Sequence, residues 1–272
     1  MSELLRISDL IRNQDSFTFS FEVTPDVGEA ELDKITLYPK FYSITWHALS
    51  HQCKDLNIAP LKLANLLRQK HKHVLLNLSC NLMTKAYLND LLPWLQEKGI
   101  CNLFIVLGDS FNPNRSDFKN SSEMISYIKT KTLDYFCIGV AGFPYDDCKI
   151  TALKEKIDLG ADFIISQAFF EANIYKNYLE KCKDAKIDVP IIPGIFPFQS
   201  QKELDMFLKL CKVKVSEEFK MKLEGKSENV MDIIENLILD LRNNLNVKHF
   251  HFFTINKLGI TCDLVKKIQL SL

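Results

Sequence analysis

The feature that most constrains the fold is a unit that recurs along the whole chain: a short apolar run, a few polar or small residues, and an amphipathic stretch of helical periodicity. In one copy the apolar run 163–165 is followed by Ser166 and Gln167 and then by a helical stretch. Strands that alternate with helices in this way build a parallel sheet. The polar residues that follow the strands should therefore share one edge.

Eight strands are predicted from this repeat, at 17–23, 41–46, 74–78, 102–107, 136–141, 163–166, 190–194 and 249–254. The predicted helices cover 29–36, 60–70, 84–98, 121–131, 150–159, 171–185, 201–211, 228–244 and 259–271, with a charged segment at 216–226. This alternation favours a closed (β/α)8 barrel, a TIM barrel, as one domain over residues 1–272. The rival is an open doubly wound sheet, which usually begins with a G-x-G-x-x-G turn that this sequence lacks.

The composition excludes several classes of partner. The 34 basic and 34 acidic residues cancel, so nothing favours nucleic acid or an anionic membrane as a partner. No run approaches the ~18 apolar residues that span a bilayer, and residues 1–17 lack the apolar centre of a signal peptide. We therefore expect a soluble, cytoplasmic protein.

The cysteines indicate a reducing compartment rather than disulfides. None forms a C-x-x-C pair, and several lie in or beside apolar runs, so buried free thiols are expected. A zinc site would need ligands clustered at short spacing, and none is visible. The eight cysteines are Cys53, Cys80, Cys101, Cys137, Cys148, Cys182, Cys211 and Cys262.

Glu22 is a candidate general acid. It lies at the end of the first apolar strand, between Phe21 and Val23. Apolar surroundings raise the pKa of a carboxyl group, so that it can carry a proton near neutral pH. The alternative is a carboxylate at the rim of the barrel that is paired with a lysine.

Asp109 and Gln167 are candidate binding residues at two other strand ends. Asp109 follows Gly108, which would let the backbone approach a ligand closely. Gln167 offers a donor and an acceptor, which suits a heterocycle that carries amide groups. A Gly-Asp turn is common after a strand, however, and a glutamine can equally satisfy loop backbone.

Two other groups admit a structural interpretation. His249 and His251 share one face of the last strand and could bind a metal, but no third ligand is evident, so packed histidines are favoured. An aromatic-rich region near the sixth and seventh strand ends is more typical of core than of a stacking surface. It contains Phe169, Phe170, Phe196, Phe198 and Phe207.

Together the strand ends resemble one family. The segments are Phe19-Ser-Phe-Glu22, Ser43-Ile-Thr-Trp-His47, Leu107-Gly-Asp109, Val140-Ala-Gly-Phe-Pro144, Leu153-Lys-Glu-Lys-Ile157, the run 160–171, Pro190-Ile-Ile-Pro-Gly-Ile-Phe-Pro197 and His251-Phe-Phe-Thr-Ile-Asn-Lys257. In this order they resemble methylenetetrahydrofolate reductase, most specifically over 160–198. The resemblance covers only the catalytic barrel. Inhibition by S-adenosylmethionine, which a regulatory domain confers on longer eukaryotic members, is therefore not expected.

The resemblance implies a reaction and roles for particular residues. The family reduces 5,10-methylenetetrahydrofolate to 5-methyltetrahydrofolate, with FAD taking hydride from NAD(P)H and passing it to the folate. Glu22 matches the acid that helps to open the five-membered ring, and Asp109 the aspartate that holds the pterin and tunes the flavin. Gln167 matches the glutamine that binds the pterin, and Phe207 and Lys257 fall at substrate-binding positions. The cofactor-binding positions are Thr45, Trp46, Asn77, Leu107, Gly108, Asp109 and Lys156, the last near the flavin phosphates.

The departures from the family are concentrated on the flavin side. Leu107 replaces an arginine, Glu155 a basic residue and Lys149 an aspartate, and most of a loop after Pro144 is missing. A diphosphate needs donors and positive charge, and each lost charge-assisted hydrogen bond costs about 1.5–3 kcal/mol. Two or three such losses would weaken FAD binding by roughly a hundredfold or more.

Three interpretations therefore stay open. The first is an FAD-dependent reductase, and the second a flavin-free reductase that takes hydride directly from NAD(P)H. The third is a non-catalytic paralogue that binds folate or a partner subunit. Retention of Glu22, Asp109 and Gln167 argues against the third, because binding alone needs no ring-opening acid. The sequence leaves open the choice between NADH and NADPH and whether the chain forms a homo-oligomer.

Overall fold

A computed structural model describes residues 4–12, 14–51, 55–211, 213–224 and 230–271. Its strands form one sheet in the order β7-β6-β5-β4-β3-β2-β1-β9-β8, and every neighbouring pair is parallel. The strands are β1 (Thr18–Val23), β2 (Tyr42–Ile44), β3 (Val74–Ser79), β4 (Asn102–Val106), β5 (Cys137–Gly142), β6 (Phe163–Ser166), β7 (Ile191–Ile192), β8 (Gly194–Ile195) and β9 (His249–Phe252).

Helices connect these strands as the sequence predicts. They are α1 (Ile7–Arg12), α2 (Glu29–Asp33), α3 (Ala59–Gln69), α4 (Lys85–Glu97), α5 (Ser121–Thr132), α6 (Ile150–Asp158), α7 (Ala172–Asp184), α8 (Gln201–Cys211), α9 (Glu217–Glu224), α10 (Val230–Leu245) and α11 (Leu258–Leu270). Short 3-10 turns lie at Pro113–Arg115 and Asp147–Lys149. Among the described residues, no helix combines the length and apolar character that crossing a bilayer requires.

The seventh predicted strand is divided in two, and this division closes the ring. β7 and β8 are separated by Pro193 alone, because proline lacks the N–H that a continuous ladder needs. β7 pairs with β6, whereas β8 pairs with β9, and the His251 N–H donates to the Pro193 carbonyl at 3.0 Å. The prediction of a closed (β/α)8 barrel is confirmed.

Two described helices were not predicted, and the first of them plugs the barrel. The Ile7 N–H donates to Asn102 Oδ1 at 2.9 Å, and Asn102 Nδ2 donates back to the Leu5 carbonyl at 3.2 Å. Asn102 begins β4, so α1 covers the amino-terminal end of the strands. Ile7 and Ile11 pack there on a buried apolar cluster that includes Phe41, Leu75, Cys137, Phe163, Ile165 and Ile192. The second helix, α9, lies within the segment that was described only as charged.

The two histidines of β9 form part of a polar layer inside the barrel. His249 Nδ1 lies 2.9 Å from Thr18 Oγ1, and Ser20 Oγ lies 3.0 Å from His249 Nε2 and 2.8 Å from His251 Nδ1. Both rings stack on Phe41, with centroids 5.5 and 5.7 Å away. Burial lowers the pKa of each histidine to about 3, so both rings are neutral near pH 7. The packed interpretation therefore accounts for both histidines.

The described cysteines are free thiols. Cys80, Cys101, Cys137, Cys182 and Cys262 are buried, whereas Cys148 is exposed and Cys211 is half-buried. Burial raises the pKa of Cys101 to about 11 and of Cys80 to about 12, which keeps these thiols protonated and unreactive. The prediction of buried free thiols is confirmed for these five, while Cys53 lies outside the described residues.

Candidate active site

The predicted polar residues meet at one end of the barrel because all the strands run in the same direction. Glu22 lies near the carboxyl end of β1, Thr45 directly follows β2, and Asp109 follows β4 after two residues. Gln167 directly follows β6. In a closed parallel barrel these positions surround the same opening, called the mouth below.

Glu22 is partly buried at the mouth and is held from two sides. Thr45 Oγ1 donates to Glu22 Oε1 at 2.8 Å, and the Ile255 N–H donates to Glu22 Oε2 at 3.3 Å. The hydroxyl of Thr254 donates to the Glu22 backbone carbonyl at 2.6 Å. Both carboxylate oxygens therefore point to defined partners on neighbouring elements.

Burial raises the pKa of Glu22 above that of an ordinary glutamate. The hydrogen bonds from Thr45 and Ile255 and the charge of His47 oppose this shift, but they do not cancel it. No lysine or arginine forms an ion pair with Glu22 in the described part of the chain. The environment is that expected for a general acid rather than for a rim carboxylate paired with lysine.

Asp109 stands on a turn that only glycine permits. Gly108 has φ +90°, and a Cβ on it would lie 1.9 Å from Ser79 Oγ. A hydrogen bond fixes the turn, because Asn81 Nδ2 donates to the Asp109 carbonyl at 2.8 Å. The side chain of Asp109 is exposed at the mouth.

Both carboxylates act on one thiol at the end of α8. Cys211 is half-buried, and its pKa is raised to about 11, first by burial and then by the charges of Glu22 and Asp109. Both charges therefore act on the same side chain, although the two residues are far apart in the sequence. Glu22 and Asp109 therefore both face the region at the end of α8.

Gln167 takes the structural role that the sequence offered, and its role in binding a ligand stays a prediction. Its side-chain oxygen accepts from the Ala168 N–H at 2.9 Å, so half of the amide supports the loop backbone. The backbone N–H of Gln167 donates to the Gly142 carbonyl at 2.7 Å. The Nε2 group makes no hydrogen bond to a described residue, and it remains a donor for a ligand.

Phe207 lies on α8, and Lys257 forms an ion pair with a residue of that helix. Phe207 is 5% exposed and stacks on Phe196 with centroids 3.9 Å apart, while Phe170 meets it edge-on at 6.3 Å. The aromatic-rich region is therefore core, as predicted. Lys257 forms an ion pair with Glu203 of α8 at 2.6 Å. Direct contact of Phe207 and Lys257 with a substrate stays a prediction.

The predicted cofactor positions are partly engaged by other protein groups. The Thr45 hydroxyl donates to Glu22, and Asn77 Oδ1 accepts from Ser43 Oγ at 3.0 Å. Trp46 is 4% exposed, and its indole N–H donates to the His51 carbonyl at 2.8 Å. Leu107 is 43% exposed at the mouth. Of these four, Trp46 has the least surface left for a cofactor.

Lys156 is the clearest candidate for an anionic group. It is partly buried on α6, and burial, followed by the charge of Lys149, lowers its pKa. No ion pair is formed by Lys156 within the described residues. A cation that is held away from water without a counter-ion fits a phosphate.

Residues that the sequence analysis did not assign complete the mouth. Ile255 and Asn256, in the loop after β9, have φ +46° and +57°. Asparagine tolerates this left-handed conformation, but a β-branched residue rarely adopts it. The Ile-Asn pair at a strand end was the only local signal, and it is weak.

Two cavities lie away from the mouth. One of about 430 Å³ is bounded by α7, α9 and α10, and one of about 610 Å³ lies on the amino-terminal side, between α1, α7 and the connection from α10 to β9. Neither is lined by a predicted site residue. The candidate site is therefore defined by the strand ends rather than by either of these cavities.

These features define a (β/α)8 barrel with an acid site at its mouth. Residues 6–269 match the sequence model of methylenetetrahydrofolate reductase, and the chain belongs to that family. It is 31% identical over 244 residues to methylenetetrahydrofolate reductase 2 of Saccharomyces cerevisiae, covering 80% of this chain and 40% of that protein. It is 27% identical over 259 residues to 5,10-methylenetetrahydrofolate reductase of Pectobacterium carotovorum, covering 89% and 85%.

The chain thus spans less than half of the length of its yeast relatives. A solved structure supports the fold independently. A protein from Clostridium thermocellum that binds two copies of 5-methyl-5,6,7,8-tetrahydrofolic acid superposes with a TM-score of 0.70 at 14% identity, covering 98% of this chain and 99% of that one.

Proposed function

We propose that this chain reduces 5,10-methylenetetrahydrofolate to 5-methyltetrahydrofolate, using NAD(P)H as the source of hydride. The observation that carries the proposal is Glu22, whose raised pKa and two hydrogen-bonded oxygens suit a proton donor at the mouth. Membership of the reductase family supports the reaction. The Clostridium thermocellum protein of similar fold binds the product of that reaction, which supports the ligand class.

Glu22 acts as the general acid in this proposal. Its protonated carboxyl group donates to the ring nitrogen whose bond to the bridging carbon breaks, and the five-membered ring opens to an electrophilic iminium. The raised pKa favours the protonated form more than in an ordinary glutamate, and the Thr45 and Ile255 bonds orient the carboxyl group. Orientation matters because proton transfer requires heavy atoms within hydrogen-bond reach.

Asp109 and Gln167 hold the pterin. A pterin presents an amino group and ring N–H groups beside a carbonyl, so it needs both acceptors and donors. The exposed Asp109 carboxylate provides acceptors, and Gln167 Nε2 provides a donor that no described residue uses. This pairing would place the ring to be opened beside Glu22.

We further propose FAD as the cofactor, bound through Thr45, Asn77, Gly108 and Lys156. The partly buried Lys156 fits one of its phosphates, and the turn at Gly108 follows β4 at the mouth. Bound FAD would accept hydride from NAD(P)H and pass it to the folate. A flavin-free reductase is the second candidate, favoured by the exposed Leu107 where the family carries arginine and by the engaged groups of Trp46 and Asn77.

The visible spectrum of the purified protein separates these candidates. Bound flavin with folate reduction supports the FAD enzyme, and a colourless protein with NAD(P)H-dependent folate reduction supports the second candidate. A colourless protein that stays inert with added FAD indicates a non-catalytic folate-binding or partner-binding protein.

The role of Glu22 is tested by the substitution Glu22→Gln. It should abolish folate reduction while leaving oxidation of NAD(P)H by bound or added FAD largely intact, because only the folate step needs the proton. Glu235→Gln is the control, since Glu235 is a buried glutamate on α10 that accepts from Ser271 Oγ at 2.7 Å and pairs with Lys267 at 2.6 Å. Equal loss of both half-reactions in Glu22→Gln would contradict the role assigned here.

A further inference from the structure

The loop after β9, which donates a hydrogen bond to Glu22, contains two consecutive non-glycine residues in the left-handed region. This loop, residues 254–257 between β9 and α11, is called the clamp loop below. Ile255 has φ +46° and Asn256 has φ +57°. A β-branched residue in this conformation is strained, and it persists only where the surroundings over-determine it.

Hydrogen bonds between Asn256 and Thr24 supply that restraint. The Thr24 N–H donates to Asn256 Oδ1 at 2.9 Å, and Asn256 Nδ2 donates to Thr24 Oγ1 at 2.5 Å. The Asn256 N–H donates to Thr254 Oγ1 at 3.1 Å, and that hydroxyl donates to the Glu22 carbonyl. The clamp loop is thus attached to the chain both at Glu22 and two residues beyond it.

The strained conformation has a direct consequence for the carboxyl group. It turns the Ile255 N–H towards Glu22 Oε2, while Thr45 holds the other oxygen from β2. Without the clamp loop, only one of the two oxygens would have a partner. Glu22 could then rotate about its side-chain torsions away from the bound folate.

We propose that Asn256 is a positioning residue: its two bonds to Thr24 hold the strained clamp loop so that the Ile255 N–H orients the Glu22 carboxyl group. This inference rests on the proposed role of Glu22 as the acid. Asn256 touches neither the reacting atoms nor Glu22 itself. It acts through the backbone of its neighbour.

Within the clamp loop the Thr254 backbone also lowers the pKa of Glu22, while the remaining groups that act on Glu22 lie on other elements and should be unchanged when Asn256 is replaced. The charge of His47, after β2, lowers the pKa of Glu22, and Cys211 approaches from α8. Asp109 acts on the same thiol from the loop after β4. The nearest cation on the clamp loop, Lys257, is paired with Glu203. A change in the pKa of Glu22 would therefore report on the hydrogen bonds from the clamp loop, of which the Ile255 N–H is the larger contributor.

The test is Asn256→Gly, which tolerates the left-handed backbone but removes both bonds to Thr24. The pKa of Glu22 is measured by carbon-13 NMR titration of the side-chain carboxyl groups, with the Glu22 signal assigned by its loss in Glu22→Gln. We expect this pKa to rise, because a hydrogen bond to the ionised form is lost. The maximal rate of folate reduction should fall about tenfold, and its alkaline limb should move to higher pH.

Asn246→Gly is the matched control, because Asn246 is exposed and left-handed, with φ +55°, but lies at the other end of β9. It should change neither the pKa nor the rate. Thr24→Val, which removes only the Oγ1 partner, should shift the pKa in the same direction and serves if Asn256→Gly folds poorly. An unchanged pKa in both Asn256→Gly and Thr24→Val would overturn the inference, even where Glu22→Gln is inactive. Full activity of Glu22→Gln would instead overturn the proposed function, and the titration would still test the clamp.

Discussion

The two ends of the barrel use the same unusual backbone conformation for different reasons. At the amino-terminal end, residues with positive φ terminate helices: in α3, α4, α6 and α7 the second residue after the cap bonds back to the carbonyl of the last turn, as from Ile187 N to the Cys182 carbonyl at 2.9 Å. At the mouth, Ile255 and Asn256 have positive φ without ending a helix, and bonds to residues about 230 positions away hold them.

The comparison separates one end of the barrel, whose contacts contribute to stability, from the mouth, whose contacts orient functional side chains. The amino-terminal end is closed by local turns and by α1, whose backbone bonds to Asn102 complete the seal. The mouth has a partly buried acid, an exposed carboxylate and an amide donor without a partner among the described residues. In barrels of this kind the loops at the carboxyl ends of the strands carry function, whereas the opposite end contributes to stability.

A pair of glycines tests this difference directly and should give the largest effect. Gly108→Ala at the mouth places a Cβ 1.9 Å from Ser79 Oγ at φ +90°, whereas Gly99→Ala at the other end has its nearest neighbour at 3.5 Å, with φ +66°. We expect the first to cost about 3 kcal/mol or more of the free energy of unfolding and to lose folate binding. The second should cost only about 1–2 kcal/mol. Urea unfolding and isothermal titration with 5-methyltetrahydrofolate measure both.

Equal costs at the two positions would mean that the turn before Asp109 relaxes. In that case the backbone conformation at the mouth would be no more strictly required than that at a helix end. The proposed difference between the two ends of the barrel would then be wrong.

The histidine pair lies between the two ends and should give an acid-dependent loss of stability. The pKa of His249 and His251 is lowered from 6.5 to about 3 in the folded protein. Below pH 6.5 the unfolded chain therefore takes up protons that the folded protein does not, so stability falls from there down to about pH 3. The expected loss is about 2 kcal/mol per histidine between pH 6.5 and 5.

Urea unfolding over this pH range measures the loss. The double variant His249→Gln with His251→Gln should show a flatter pH dependence, although its stability at pH 7 should be lower. Replacement of the exposed His71 by glutamine is the control and should leave the slope unchanged. A slope that persists in the double variant would assign the acid sensitivity to other groups.

The same contrast explains which features the sequence predicts. The apolar repeat predicts the order of strands and helices, because each unit can be recognised from the pattern of neighbouring residues alone. It also predicts an apolar environment for Glu22, whose pKa is raised. Pro193 is a local signal that the prediction did not use, and it divides the seventh strand.

Long-range bonds carry the part that the sequence does not predict. The position of α1 depends on hydrogen bonds with Asn102, which lies about a hundred residues away in the sequence. No pattern near Ile7 predicts these bonds. The bond from the buried Trp46 indole N–H to the His51 carbonyl spans only five residues, yet no sequence pattern predicts it, and a cofactor contact of Trp46 stays a prediction. The strained Ile255 is explained only by the bonds between its neighbour and Thr24.

Lys257 should give the smallest effect on stability and sharpens the comparison at the mouth. Its ion pair with Glu203 is partly exposed, and such pairs contribute less than about 1 kcal/mol. Lys257→Met should therefore hardly change the midpoint of thermal unfolding. If Lys257 also binds the carboxylates of the folate tail, the KM for folate should rise several-fold while kcat stays unchanged, because that contact is equally strong in the ground and transition states. Steady-state kinetics beside Glu203→Gln, which removes the same ion pair but keeps the lysine, separate the two roles. An equal rise in KM in both variants would show that the ion pair, rather than contact of Lys257 with substrate, shapes the mouth.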